Sequence, residues 1–304
     1  MGLIKSAIEF FRPNPFDAML ERMQKKGQQS ILLIWNRGLG DIPLGLYAMV
    51  ERIRAYLPDA EITFLTRHDL KDGFKLLEDV EVIVGHDFKR GQPFDMEKAL
   101  GIHGMSREDF DLVIENPDPT RWVKWQLGHL VPKLKWDPSW DALSNDFGFE
   151  EGKKYIGIHV DTETGQHYGY EKNWPFKYWY EFIKRATEEK GCHVVLFGFA
   201  PEPEFDLKSV IDLRGKTHLL SLLSIVKNKL DYLVVPDSGL LSLTYYLDAV
   251  FPLKMVSLWS DPRQGVLKQN VASPNPDLLH IPLIGQDESV ANISVEHVMQ
   301  SLFS

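Results

Sequence analysis

The chain has 304 residues, 44% of them hydrophobic and 25% charged, with a formal net charge of −9; this is globular composition with room for two domains of ordinary size. The acidic balance excludes general nucleic-acid binding, which needs a net basic surface, but leaves small anions open at a local basic site. Cys192 is the only cysteine, which rules out an internal disulfide and a Cys/His zinc cluster, and the lack of any bilayer-length apolar run or signal-peptide core predicts a cytoplasmic protein.

Apolar residues at helical spacing over residues 3–23, interrupted by Pro13 and Pro15, predict a helical N-terminal extension within residues 1–29. Such an extension either packs on the first domain or lies on a membrane surface. Residues 30–35 then read as a strand, and residues 42–56 as a helix with Leu46, Met49, Val50 and Ile53 inward. Strands follow at 61–66, 80–84 and 111–114. Residues 132–152, rich in Pro, Asp, Asn and Gly, mark a boundary that divides the chain into domains 1–150 and 151–304. The pattern restarts with strands at 155–159, 193–197, 231–235 and 254–258 and a helix at 176–190. Thr217 is placed to cap a further helix carrying Leu219, Leu220, Leu223 and Val226. This alternation predicts an α/β protein with two parallel sheets, each covered by helices, and a ligand site in the cleft beyond the carboxyl ends of their strands.

The segment from Asp231 runs Asp-Tyr-Leu-Val-Val-Pro-Asp-Ser-Gly-Leu-Leu-Ser-Leu. A buried strand enters Asp237-Ser238-Gly239 at the start of an apolar helix, where unpaired backbone N–H groups and partial positive charge suit a phosphate. An ordinary capped helix is the other reading. Between Arg121 and Trp136 the basic residues Arg121, Lys124, Lys133 and Lys135 alternate with Trp122, Trp125 and Trp136. That stretch is either an interface with an anionic membrane or glycolipid, or a helix with buried tryptophans and solvated lysine stems.

Asp212-Leu-Arg-Gly-Lys-Thr-His-Leu followed by Asp237-Ser-Gly resembles the heptosyltransferase-type glycosyltransferases of family 9. Three further segments stand in that family's order: Gly38-Leu-Gly-Asp41 after the first strand, Lys172-Asn-Trp-Pro175 after Gly157-Ile-His159, and Phe197-Gly198 with Glu202 four residues beyond. Together they span roughly residues 30–262. The resemblance implies a GT-B architecture: two Rossmann-like domains facing across a cleft, acceptor on the first and nucleotide-sugar on the second, with the last helix, residues 294–303, placed to cross back to the first. It implies inverting transfer, with ADP-heptose as donor and a lipopolysaccharide-type acceptor at the inner face of a membrane.

By the same resemblance Asp41 is the catalytic base, Lys172 lies against the donor phosphates, and Glu202 bonds the ribose hydroxyls, with Glu204 as a competing register. Asp237, Ser238 and Gly239 complete the donor site. Arg37, Arg121 and Lys124 are candidates for an anionic acceptor. No metal or other cofactor is expected, because protein charge neutralises the leaving group. Asp41 also stands where a helix N-cap would, and Trp174 is open to either sugar stacking or the core. Ser242 replaces the family's usual histidine, Leu258-Trp-Ser-Asp-Pro262 replaces its usual loop, and residues 160–171 form a longer, acidic connection. These departures keep open a binding or scaffold protein without turnover, or another nucleotide-sugar enzyme such as an epimerase.

Overall fold

The computed structural model describes residues 14–162, 164, 171–199, 204–207 and 209–304, so the start of the predicted N-terminal extension lies outside the described residues. The chain folds into two compact units, one ending at Gln126 and one beginning at Leu127.

The first unit opens with helix α1 (Pro15–Lys26), started by the Asn14 side chain accepting from the Phe16 N–H and stopped by Gly27 in the left-handed region. Its apolar stripe of Phe16, Leu20 and Met23 is buried, and the helix packs against a later helix of the same unit. The described part of the extension is therefore a core element of this unit. Strands β1 (Ser30–Trp35), β2 (Glu61–Thr66), β3 (Val80–Val84) and β4 (Leu112–Ile114) form one parallel sheet in the order β3-β2-β1-β4. Near-continuous burial along β1 and β2 is the mark of strands covered on both faces.

The predicted helix after β1 differs in its first turn. Residues Ile42–Leu46 form a π-helical turn, and only Tyr47–Tyr56 is α-helix, labelled α2. Pro43 removes a donor there, and a wide turn leaves carbonyls off the regular ladder. Leu44 O in this turn takes a hydrogen bond of 2.8 Å from the Gln126 amide, while Pro119 packs against Gly45.

The second unit holds a six-stranded parallel sheet of β6 (Tyr155–His159), β7 (His193–Phe197), β8 (Val210–Asp212), β9 (Tyr232–Pro236), β11 (Leu253–Trp259) and β12 (Leu278–Ile284). Its order, β12-β11-β9-β6-β7-β8, is the doubly wound Rossmann order, with the reversal of direction between β6 and β9. Helices α5 (Phe176–Glu188) and α9 (Val295–Phe303) cover one face; Trp179, Phe182 and Ile183 from the first join Val298, Met299 and Leu302 from the second in one core. The last helix thus places its apolar stripe in the second unit's own core. The remaining helices are α3 (Lys71–Phe74) and α4 (Met96–Gly101) in the first unit and α6 (Leu219–Lys229), α7 (Gly239–Tyr245) and α8 (Gly265–Gln269) in the second. Thr217 does not cap α6, whose N-cap position is His218.

Residues 132–152 belong to the second unit. A short strand β5 (Leu134–Lys135) pairs with β10 (Leu247–Asp248), and a 3-10 segment Pro138–Phe147 packs on α6. Ser224 and Lys227 of α6 both bond Asp141 in that segment. Abundant Pro and Asp marked irregular backbone correctly, but irregular backbone here is fastened to the Rossmann unit and the division falls earlier in the chain.

Candidate functional site

In an open parallel sheet the carboxyl-end loops on either side of the reversal diverge and leave a crevice. In the second unit those loops follow β6 and β9, and each delivers one charged side chain. Lys172 Nζ donates to Asp237 Oδ2 at 2.6 Å, with only 17% and 10% of the two side chains exposed. Lys172 is held by its neighbour: Asn173 Oδ1 accepts from Thr162 N and Oγ1 at 2.9 and 3.0 Å, and its amide bonds Asp161. The acidic connection is thereby tied at its base, and Glu171 accepts from Ser289. Its residues 163 and 165–170 lie outside the described residues.

Asp237 follows the last residue of β9, and Ser238 is the N-cap of α7, its hydroxyl accepting from Leu241 N at 3.3 Å. The capped-helix reading therefore holds for Ser238, while Asp237 is left for Lys172. Gly239 opens the helix. Ser242, where the family has histidine, is 1% exposed and donates to Ser238 O at 3.1 Å, so its hydroxyl is turned onto its own helix.

Against the other side of Asp237 stands Gly265. A methyl there would come within 2.7 Å of both Asp237 Oδ1 and the Trp259 ring, and its φ of +50° lies in the region that favours glycine. Trp259 in turn donates Nε1–H to Ser257 Oγ at 2.6 Å, and that oxygen lies 2.7 Å from His280 Nε2. Burial pushes His280 down to about 4, so the ring that shares this hydrogen bond with Ser257 is neutral. Gly265 and this network had no signal in the sequence beyond an unremarkable glycine after a family loop.

Further along the same edge, the Asp212 motif folds into a closed structure. Arg214, 4% exposed, forms a two-pronged pair with Asp212 at 3.0 and 2.7 Å. Burial raises the Asp212 carboxyl, but the Arg214 hydrogen bonds outweigh it and leave the group below the ordinary carboxylate range. His159, the last residue of β6, is lowered to about 4 by burial, and its Nδ1 is a buried atom with no hydrogen-bond partner. Glu202 lies outside the described residues; its competitor Glu204 is exposed. Trp174 is core: it is 2% exposed, donates to Ile293 O at 2.8 Å and meets Trp179 edge-on.

In the first unit the loop after β1 carries Arg37, Gly38 and Asp41. Arg37 is exposed, its guanidinium 5.7 Å from the Trp35 ring centroid, and Trp35 Nε1 donates to Gly38 O at 3.1 Å. Asp41 occupies the position before the π-turn but makes no side-chain capping bond. Its carboxylate turns back on Gly38: a methyl at that glycine would stand 2.7 Å from Asp41 Oδ2 and 3.9 Å from Arg90 Nη2. Arg90, in the loop after β3, is a functional candidate that sequence reasoning missed.

The tryptophan-rich basic stretch is not one helix. Trp122 stacks on Phe16 at 5.5 Å, Trp125 lies under Arg52, and Trp136 meets Trp140 and donates to Asp141. Arg121 and Lys124 are exposed on the first unit, and Lys133 and Lys135 belong to the second. The chain's Asp-x-Asp pair, Asp109 and Asp111, serves the backbone: Asp109 caps Ser106, and Asp111 accepts from Gln29 and Ser30 at the amino end of β1. Among the described residues no group of three His, Cys, Asp or Glu side chains is arranged to hold a metal ion, and no helix is long and apolar enough to cross a membrane.

Residues 129–256 match the family model for glycosyltransferase family 9 (heptosyltransferase), a span that includes Lys172 and Asp237. No curated protein sequence matches the chain. Among solved structures, a family 9 glycosyl transferase from Veillonella parvula aligns over 90% of this chain and 96% of its own, with 16% identity and a TM-score of 0.60. ADP-heptose LPS heptosyltransferase II of E. coli aligns over 90% and 97%, with 18% identity and a TM-score of 0.57. At these identities the structures speak for the fold, and the family match speaks for the second unit's motifs. Residues 129–256 are thus similar to glycosyltransferase family 9, and the chain shares the GT-B fold of these structures.

Proposed function

We propose that this protein transfers a heptose from ADP-heptose to a lipopolysaccharide-type acceptor with inversion. The observation that carries the donor half is the Lys172–Asp237 pair at the reversal point of a Rossmann sheet, beside the start of α7. A diphosphate entering that crevice meets an ammonium already held in place. Lys172 then carries the charge that grows on the departing diphosphate, and Ser238 and Gly239 supply backbone N–H groups. Asp41 takes the proton of the acceptor hydroxyl as its oxygen attacks the anomeric carbon and the bond from that carbon to the phosphate oxygen breaks.

Support for the sugar comes from the relatives: one is an ADP-heptose LPS heptosyltransferase, and the E. coli heptosyltransferase WaaC was solved with ADP-2-deoxy-2-fluoro heptose. The acceptor is assigned to the first unit, with Arg37, Arg121 and Lys124 as exposed cations, and the leaving group needs no metal because Lys172 neutralises it. Glu202 retains the ribose role. A titration of ADP-, UDP-, GDP- and dTDP-sugars tests the reading; preference for ADP-heptose supports it, and preference for another nucleotide replaces it. Ser242, bonded to its own helix, favours a second reading as a binding protein without turnover, which release of ADP from ADP-heptose in the presence of acceptor eliminates.

A further inference from the structure

The loop after β3 reaches the loop after β1 although β2 lies between the two strands in the sheet. Asn36, the first residue beyond β1, makes that reach stable. Its side-chain amide donates to Lys89 O at 3.3 Å and to Gln92 O at 3.1 Å, and its own carbonyl accepts from Gly91 N at 3.4 Å. Gln92 N also returns to Lys89 O at 3.2 Å, so residues 89–92 are a closed turn gripped from inside by one asparagine. From the end of β2, Arg67 adds a longer contact of 3.4 Å to Asn36 O while pairing with Asp69. Behind the turn, Phe88 is buried and packs on Phe94 at 4.1 Å, which anchors the loop in the core.

The residue this turn presents is Arg90. Its guanidinium and the Asp41 carboxylate flank the same glycine, within 3.9 and 2.7 Å of the point where a Gly38 methyl would sit. Glycine at 38 is what lets the Asp41 carboxylate in, and Arg90 stands just beyond it. A guanidinium beside a carboxylate offers directed donors that fix the plane of the acid and leave a defined oxygen for the proton it must take. A misplaced base loses rate steeply.

We propose that Arg90 is a positioning residue for Asp41, delivered by the Asn36-gripped turn. The inference rests on the reading of Asp41 as the base, and it adds a residue that the resemblance did not supply. Arg90 acts through Asp41, so its effect belongs to turnover and not to donor affinity, which lies with the second unit.

The test measures ADP release from ADP-heptose with deacylated lipopolysaccharide core as acceptor, for wild type, R90Q, R90K, N36A, D41N and the double variant D41N/R90Q. R90Q is expected to lower kcat about tenfold with KM for ADP-heptose unchanged, R90K to recover only part of the loss because an ammonium lacks the planar fork, and N36A to fall in the same direction. In the double variant the Arg90 change should cost nothing beyond D41N, because its only route is through the acid. Full additivity of the two losses, a rise in KM for ADP-heptose in place of the kcat loss, or wild-type kcat in R90Q beside a crippled D41N would overturn the inference while leaving Asp41 as base. Wild-type turnover in D41N would instead overturn the base assignment, and the positioning role with it.

Discussion

Lys172 and Asp237 come from loops 65 residues apart and meet at 2.6 Å on either side of the point where the second sheet reverses direction. Neither is available to solvent alone, and each keeps the other's charge compensated in a partly buried setting. Under the proposed function this is a resting arrangement, in which donor binding would exchange the Asp237 partner of Lys172 for a diphosphate.

Asp41 makes no cap bond to the helix it precedes, so replacing it with asparagine should leave the fold intact. D41N is expected to fold and bind ADP-heptose as wild type does while turning over about a hundredfold more slowly. Circular dichroism, calorimetry and ADP release check the three parts; full activity would remove Asp41 from the mechanism.

Transfer should be independent of divalent metal, since the leaving-group charge is assigned to Lys172. EDTA is expected to leave the rate unchanged. Strong inhibition reversed by Mg²⁺ or Mn²⁺ would contradict this.

Stability should fall with acid in a window set by the buried histidines. His159 and His280 titrate near 4 when folded and near 6.5 when unfolded, so between those values the unfolded chain binds more protons. Folding stability is complete above about pH 6.5 and is lost as pH falls toward 4, by up to about 1.4 kcal/mol per pH unit for each ring. Urea titrations at pH 7 and pH 5 measure it. H280N is expected to flatten the slope, and an unchanged slope would show that His280 is not a contributor.

The exposed cations Arg121 and Lys124 should help the first unit meet an anionic acceptor or surface. Co-sedimentation with anionic liposomes is expected at low salt and lost at high salt, and weaker when these two residues become glutamine. Equal sedimentation of the two proteins would reduce the pair to solvated surface charge.

Strands were legible wherever both faces are covered, because residues 30–35 and 193–197 then read as nearly unbroken apolar runs. The positions of Asp237 and Ser238 at the sheet's carboxyl edge were legible for a different reason, since they directly follow a strand, whereas Lys172 was singled out by the resemblance. Arg90 was not legible, since its place depends on Asn36 gripping carbonyls more than fifty residues away. Gln126 was hidden likewise, its amide serving the Leu44 carbonyl 82 residues away. The boundary was misplaced because proline-rich backbone signals irregularity and says nothing of what that backbone packs on; here Asp141 is bound to Ser224 and Lys227.

We propose that the nucleotide diphosphate binds the second unit at Lys172. Calorimetric titration of ADP-heptose into wild type and K172A, both checked for native circular dichroism, tests it directly. Loss of one charge-assisted contact, about 1.5–3 kcal/mol, predicts affinity lower by roughly tenfold to a hundredfold in the variant. Equal affinity in two folded proteins would contradict the account.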